Sequence, residues 1–526
     1  MIMPNLGLPR GQLLIFLLQL TSLSVLQVYG IGINYSRDDF PADFVFGSGT
    51  SAYQVYLKSW LSKFKVEGAP FEDGKTPSTW DIFTHDGYVN NGETGDIACD
   101  GYHKYKEDVK LMADTGLEAY RFSISWTRLI PNGRGPINPK GLQFYNNLIN
   151  ELITWGIQPH VTLFHGDLPQ SLEDEYGGWL DKKILKDFVV YADACFREFG
   201  DRVMHWTTFN EINMLPMLGY DAGMMPPRRC SSFYGMNCTQ GALDEPYRVA
   251  HNTLLAHASA AKLYKQKYKP VQHGFIGLNV LAFWFSPYTI TTEDLLATQR
   301  ANDFYVGWFV NPLVKGDYPD VIKKNAGKKI PSFTKTESLR LKGSFDFLGV
   351  NHYASGYVKD QTINPAVETR DLMADMAVEL TLGADGMEQY QGLTHVLEYF
   401  KDVYGNPPVY IHENGLRTVR NGSMSEELND AARVKYMRGF IGSVLDALRN
   451  GANTKGYFTW SFLDVFELLG GYDSAYGLHY VDLNDKDLKR YPKSSATWYS
   501  SFLKKRGIQS VGQGKDSVSE LFHSHL

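Results

Sequence analysis

A chain of 526 residues with 43% hydrophobic, 14% aromatic and 21% charged residues carries enough apolar material for a large buried core, which excludes a globally disordered protein. That length suits two or three average domains or one large α/β barrel with insertions. A formal charge of -6, without a long lysine or arginine run, gives no basic field that would draw nucleic acid, so nucleic acid is excluded as a partner.

Residues 1–30 place Arg10 before LLIFLLQLTSLSVLQV and then small residues at Gly30 and Gly32, the arrangement of a secretory signal peptide. The apolar run is about sixteen residues and a membrane span needs about 20, so no stable membrane anchor is expected. This sends the chain into the secretory pathway, with an extracellular or vacuolar destination. Asn34, Asn237 and Asn421 complete glycosylation sequons that fit this route. Cys230 and Cys238, in RRCSSFYGMNC, are close enough to close a small disulfide loop in an oxidising compartment. Cys99 and Cys195 sit in helical-looking contexts and read as buried thiols.

From there the chain repeats one pattern: a short apolar or β-branched run, a polar and aromatic cluster, then an amphipathic stretch. The runs are DFVFGSGTSAYQ (43–54), AYRFSISW (119–126), IQPHVTLFHGD (157–167), HWTTFNE (205–211), HGFIGLNV (273–280), FDFLGVNHY (345–353), PPVYIHENG (407–415) and TKGYFTWSFLD (454–464). Helices are expected between them, as in KGLQFYNNLINELITWG and DAARVKYMRGFIGSVLDALRNG, several closing on a glycine that favours a helix stop. Eight such units imply a (β/α)8 TIM barrel, a single large domain over residues 31–505 with loop insertions, followed by a polar tail at 506–526. An open doubly wound sheet is the alternative, but no glycine-rich phosphate fingerprint follows an early strand.

Two strand ends place a glutamate beside an asparagine: Glu211 in TTFNEIN and Glu413 in VYIHENG. In a barrel both face one mouth. Two carboxyl groups across a pocket are what glycosidic cleavage requires, one to protonate the leaving oxygen and one to attack the sugar carbon or activate water. Neither a metal nor a cofactor is called for, since no cluster has metal-ligand spacing.

TTFNE and YIHENG, with AYRFSISW, VTLFH, DFLGVNHY and YFTWSFLD in this order, resemble glycoside hydrolase family 1, particularly its plant β-glucosidases, from about Phe40 to Leu503. The resemblance implies a retaining β-glycosidase acting on a small-molecule β-glycoside, with Glu211 as acid/base and Glu413 as nucleophile. In that mechanism the carboxyl groups stand about 5 Å apart. It further implies that Arg121 and Tyr353 hold the nucleophile, that Gln54, His165, Asn210 and Glu467 bind sugar hydroxyls, and that Trp460 forms the platform beneath the ring. Glutamate at 211 favours O-glycosides over the thioglucosidase pattern.

The chain departs from the family at four places. HGD stands where an aromatic usually follows the histidine, so Gly166 is expected to leave the rim without a ring. Leu468 replaces a common tryptophan and cannot donate a hydrogen bond. Residues 366–395 lack the tryptophan- and proline-containing segment that helps shape the aglycone side. In SAYQVYLKSWLSKFKVEGAP, residues 56–66 separate Gln54-Val55 from Glu67-Gly68-Ala69, which the family reads continuously. This run reads as an intrusion at the gene-model or splice level, and the alternative function is therefore a catalytically impaired barrel that binds glycosides. The sequence sets no oligomeric state.

Overall fold

The computed structural model describes residues 35–53, 71–89, 92–94, 96, 99–231, 238–361, 371–383, 387–420, 422–467, 471 and 473–504. The expected leader and tail, Gln54, the run 56–66, Leu468 and the sequon residues Asn34, Asn237 and Asn421 lie outside these described residues.

Each of the eight expected runs contains a barrel strand: β1 Val45–Gly49, β2 Ala119–Ser123, β3 Gln158–Phe164, β4 His205–Phe209, β5 Phe275–Leu281, β6 Phe347–Asn351, β7 Val409–Asn414 and β8 Thr454–Trp460. They pair in parallel in chain order, and β8 closes on β1 through the register Val45↔Gly456 to Gly49↔Trp460. The strands are buried on both faces, which is why they read as near-continuous apolar runs rather than alternating ones. Helices cover the outside, among them α1 Gly101–Thr115, α2 Pro139–Thr154, α3 Lys183–Phe199, α4 Glu245–Leu263, α5 Thr292–Asn302, α6 Trp308–Lys315, α7 Met387–Tyr404, α8 Ala431–Arg449 and α9 Ser494–Leu503. Gly116 closes α1 at φ 90°, as expected of a glycine stop, whereas Gly200 ends α3 at φ -74° and needs no left-handed backbone.

The barrel interior is filled by rings, and glycines make the room. A Cβ at Gly47 would meet the Phe458 ring at 2.6 Å, and one at Gly277 would meet the Phe347 ring at 2.6 Å. Below the reactive end, His160 and His205 stack at 4.1 Å between ring centroids, with Tyr410 edge-on to both. These rings fill the barrel below the cavity, whose lining residues lie at and beyond the C-terminal strand ends.

Beyond β5 and β6, Trp284–Pro287, Ser355–Asp360 and Val378–Leu382 form a three-stranded sheet. It draws residues 378–382 of the atypical 366–395 segment into regular structure. Cys230 and Cys238 form the expected disulfide, while Cys99 and Cys195 are buried free thiols. Among the described residues, no helix is long and apolar enough to cross a membrane.

Candidate active site

Parallel strands bring their C-terminal ends to one face, and those ends supply the side chains around a cavity of about 550 Å³. His165 follows β3, Asn210 and Glu211 follow β4, Tyr353 follows β6, Glu413 is the penultimate residue of β7 and Trp460 ends β8. Glu467 reaches the same cavity from the loop after β8, and Arg121 enters from β2 beneath it.

The two glutamates occupy opposite electrostatic settings. Glu413 Oε1 accepts from Arg121 Nη1 at 2.6 Å, and its Oε2 accepts from the Tyr353 hydroxyl at 2.7 Å. Arg121 is 2% exposed, so this ion pair is screened little by water. Among the described residues, Glu211 has no ion pair; its Oε1 accepts from the Asn351 amide at 2.9 Å. Burial, and then the charge of Glu413, raise the proton affinity of Glu211 well above the usual carboxylate range, against the pull of Asn351 and Arg121. One carboxyl group is thus fixed in place by two donors, and the other, with its raised proton affinity, is favoured as the acid.

Amides and a guanidinium connect the pair. Arg121 Nη2 donates to Asn210 Oδ1 at 2.7 Å, and Asn351 Nδ2 reaches both Asn210 Oδ1 at 3.2 Å and Glu211. The other end of Asn210 donates to His165 Nε2 at 3.1 Å, which leaves His165 Nδ1 to carry the ring proton. Burial and nearby Arg121 keep that imidazole neutral, its proton affinity well below normal. Trp460 lies nearly parallel to His165 at 6.1 Å between centroids and donates its indole N–H to Glu467 Oε1 at 3.2 Å. Burial and the two other glutamates push Glu467 up to about 8.

All the expected site residues within the described chain therefore converge on one cavity or on the carboxylates that line it. Three contributors went unassigned at the sequence level. Asn351 and Asn279 were visible within GVNHY and GLNV, but a polar residue inside a strand run carries no signal of what it touches. Trp80 is the third. A Cβ at Gly166 would meet Trp80 Nε1 at 2.8 Å, and Trp80 lines the cavity. The rim position that Gly166 was expected to leave without a ring is thus occupied by a tryptophan from the short helix Thr79–His85.

The remaining wall divides by chemistry. Met214, Leu215, Leu218, Met225 and Phe283 contribute apolar lining, and Arg417, Ser474 and Tyr476 contribute polar groups. Arg417 Nε donates to Ser474 Oγ at 2.7 Å. Among the described residues, no group of three or more histidine, cysteine or acidic side chains is arranged to hold a metal ion.

The sequence model of glycosyl hydrolase family 1 matches residues 36–508. The chain belongs to glycosyl hydrolase family 1. Within family 1, β-glucosidase 22 of rice (Oryza sativa subsp. japonica) is 54% identical over 484 residues, covering 90% of this chain and 88% of its own. A cyanidin 3-O-glucoside 7-O-glucosyltransferase (acyl-glucose) of Delphinium grandiflorum is 52% identical, covering 95% of this chain and 97% of its own. The crystal structure of a rice β-glucosidase superposes with a TM-score of 0.84 at 41% identity, covering 90% of this chain and 100% of that one. Family membership makes the chain a glycoside hydrolase, and the closed barrel of parallel strands is the family's architecture.

Proposed function

We propose that this glycoside hydrolase is a retaining β-glucosidase in which Glu413 is the nucleophile and Glu211 the acid/base. The observation that carries this reading is the contrast between the two carboxyl groups: Glu413 is clamped by Arg121 and Tyr353, whereas Glu211 is buried with Asn351 as its donor and has its proton affinity raised by burial and by Glu413. A glucoside seated on Trp460 presents its hydroxyls to His165, Asn210 and Glu467, and the family resemblance assigns the same role to Gln54. Glu413 attacks the anomeric carbon while Glu211 gives its proton to the departing oxygen, so the C–O bond breaks as the ester forms. Esterification removes the Glu413 charge, and with it one of the two influences that raise Glu211's proton affinity. Glu211 then takes a proton from water, whose oxygen attacks the anomeric carbon and frees Glu413.

The apolar wall of Met214, Leu218, Met225 and Phe283 suits an aromatic or otherwise hydrophobic aglycone. The Delphinium relative, named a glucosyltransferase, supports a second reading in which an acceptor hydroxyl replaces water on the same glucosyl-enzyme. The disulfide supports folding in an oxidising compartment, consistent with a secretory route and an extracellular or vacuolar site.

The decisive experiment is mechanism-based labelling with a 2-deoxy-2-fluoro-β-glucoside followed by peptide mass spectrometry. The label should fall on the peptide containing Glu413, and Glu413→Gly should lose aryl glucosidase activity yet transfer glucose from α-glucosyl fluoride. Label on another carboxylate, or hydrolysis unchanged in Glu413→Gly, would remove the assignment. Products formed with and without a phenolic acceptor separate hydrolysis from transfer.

A further inference from the structure

Glu211 sits at φ 43°, left-handed backbone that is unfavourable for a non-glycine residue and persists only where its surroundings enforce it. The enforcing group is on β5. Asn279 Oδ1 accepts the Glu211 backbone N–H at 2.8 Å, and the Asn279 carbonyl accepts the Ile212 N–H at 3.1 Å. One residue later, Asn213 exchanges bonds with both the N–H and the carbonyl of Leu281, at 3.0 and 2.8 Å. The turn carrying Glu211 is thereby tied to β5 by side chains as well as by backbone.

The other end of the Asn279 amide reaches the Glu211 carboxyl indirectly. Asn279 Nδ2 donates to Asn351 Oδ1 at 2.8 Å, which turns the Asn351 Nδ2 toward Glu211 Oε1. The orientation of Asn279 is fixed by its neighbours: a backbone N–H faces Oδ1, while an amide oxygen and His412 Nδ1, at 3.4 Å, face Nδ2. Burial keeps His412 neutral, so its Nδ1 is available as an acceptor. Gly349 on β6 leaves space for this arrangement, since a Cβ there would collide with His412 Nδ1 and approach Asn279 Nδ2 to 3.0 Å.

We infer that Asn279 is a positioning residue for proton transfer: one carboxamide fixes both the backbone conformation of Glu211 and, through Asn351, the direction of its carboxyl group. This rests on Glu211 being the acid/base. Deleting such a device disturbs protonation of the leaving group more than attack by Glu413, because neither Arg121 nor Tyr353 contacts Asn279.

The test uses the full chain with Asn279→Val and Asn279→Asp, measured on aryl β-glucosides that span leaving-group acidity. Asn279→Val should lower kcat/KM about 10- to 100-fold for poor leaving groups, which need a well-placed acid. It should change kcat/KM by less than about 3-fold for 2,4-dinitrophenyl glucoside, which departs without one. The alkaline limb of the pH profile should move upward, because the Asn351 bond that favours the charged carboxylate is lost. Asn279→Asp keeps an acceptor for the Glu211 N–H but sets an oxygen against Asn351 Oδ1. It should therefore show the same leaving-group dependence and guards against a valine variant that fails to fold. A uniform loss across all leaving groups with an unmoved alkaline limb, in whichever variant folds, would overturn the inference and leave Asn279 merely structural. Glu211→Ala is the control for the underlying reading: if that variant shows no leaving-group dependence, the acid/base assignment itself has failed.

Discussion

Removing one oxygen tests how the proposed nucleophile is held. In Tyr353→Phe the ring remains, edge-on to Tyr476 at 6.0 Å between centroids, so the change is confined to the hydroxyl that donates to Glu413 Oε2 at 2.7 Å. Each carboxylate oxygen has one described donor from this pair, Arg121 on Oε1 and Tyr353 on Oε2. Without the second, the carboxylate pivots about the first. A hydrogen bond to a charged group is worth roughly 1.5–3 kcal/mol. At about 1.4 kcal/mol per decade, this converts to a loss of about 10- to 150-fold in formation of the glucosyl-enzyme. The same deletion should lower the unfolding free energy by up to about 3 kcal/mol, because a buried carboxylate loses a donor. Steady-state and stopped-flow hydrolysis of 2,4-dinitrophenyl glucoside isolates attack from acid catalysis, and urea denaturation measures stability. Retention of kcat/KM within about 3-fold, with an unchanged urea midpoint, would refute the argument that two donors fix the plane of Glu413.

Four other outcomes are expected. Glu413→Gln should lower the proton affinity of Glu211, seen by 13C NMR titration of the labelled carboxyl, yet leave it above the ordinary carboxylate range because burial is the larger cause. A titration curve that does not move would show that the two groups are uncoupled. His205, His352 and His479 are held down to about 4 by burial, so each bears its proton in the unfolded chain below about pH 6.5 but not in the fold. Their stabilising contribution is full above that pH and is lost as the pH falls toward 4. Unfolding measured near pH 5 should take up protons, and a pH-independent unfolding free energy between 4 and 6.5 would contradict this. Reducing Cys230–Cys238, which are 8 residues apart, should cost about 2.5 kcal/mol by loop-closure entropy. An unaltered thermal midpoint in dithiothreitol would contradict that cost. Deleting residues 56–66 should raise turnover of an aryl glucoside by joining Gln54 to its expected sequence context; equal turnover with and without the run would remove it as an impairment.

The barrel was legible because each strand combines a buried apolar run with a polar end, and all eight runs were found within a few residues of their limits. Glu211 and Glu413 stood out for the same reason, since a barrel brings the polar ends of its strands, β4 and β7 among them, to one mouth. Asn279 and Asn351 were not, although both stood inside quoted runs. Their meaning lies in a bond between residues 72 apart in the chain, and no local spacing encodes which end of an amide faces which neighbour. Gly166 misled in the opposite direction. Absence of a side chain there read as a gap, whereas the indole of Trp80, from a different segment, lies against it.

The stacked rings beneath the cavity have an implication for how such a protein changes over time. His205, Tyr410 and Phe458 all pack against His160, and Gly47 and Gly277 cannot accept even a methyl group without moving their neighbours. The apolar cavity wall draws on Met214, Leu215, Leu218 and Met225, which lie outside the barrel strands, so replacing them leaves the ring stack below in place. Diversification of preference is thereby cheap while loss of the chemistry is expensive, and a lineage built on this plan can explore new acceptors and leaving groups without first passing through an inactive ancestor.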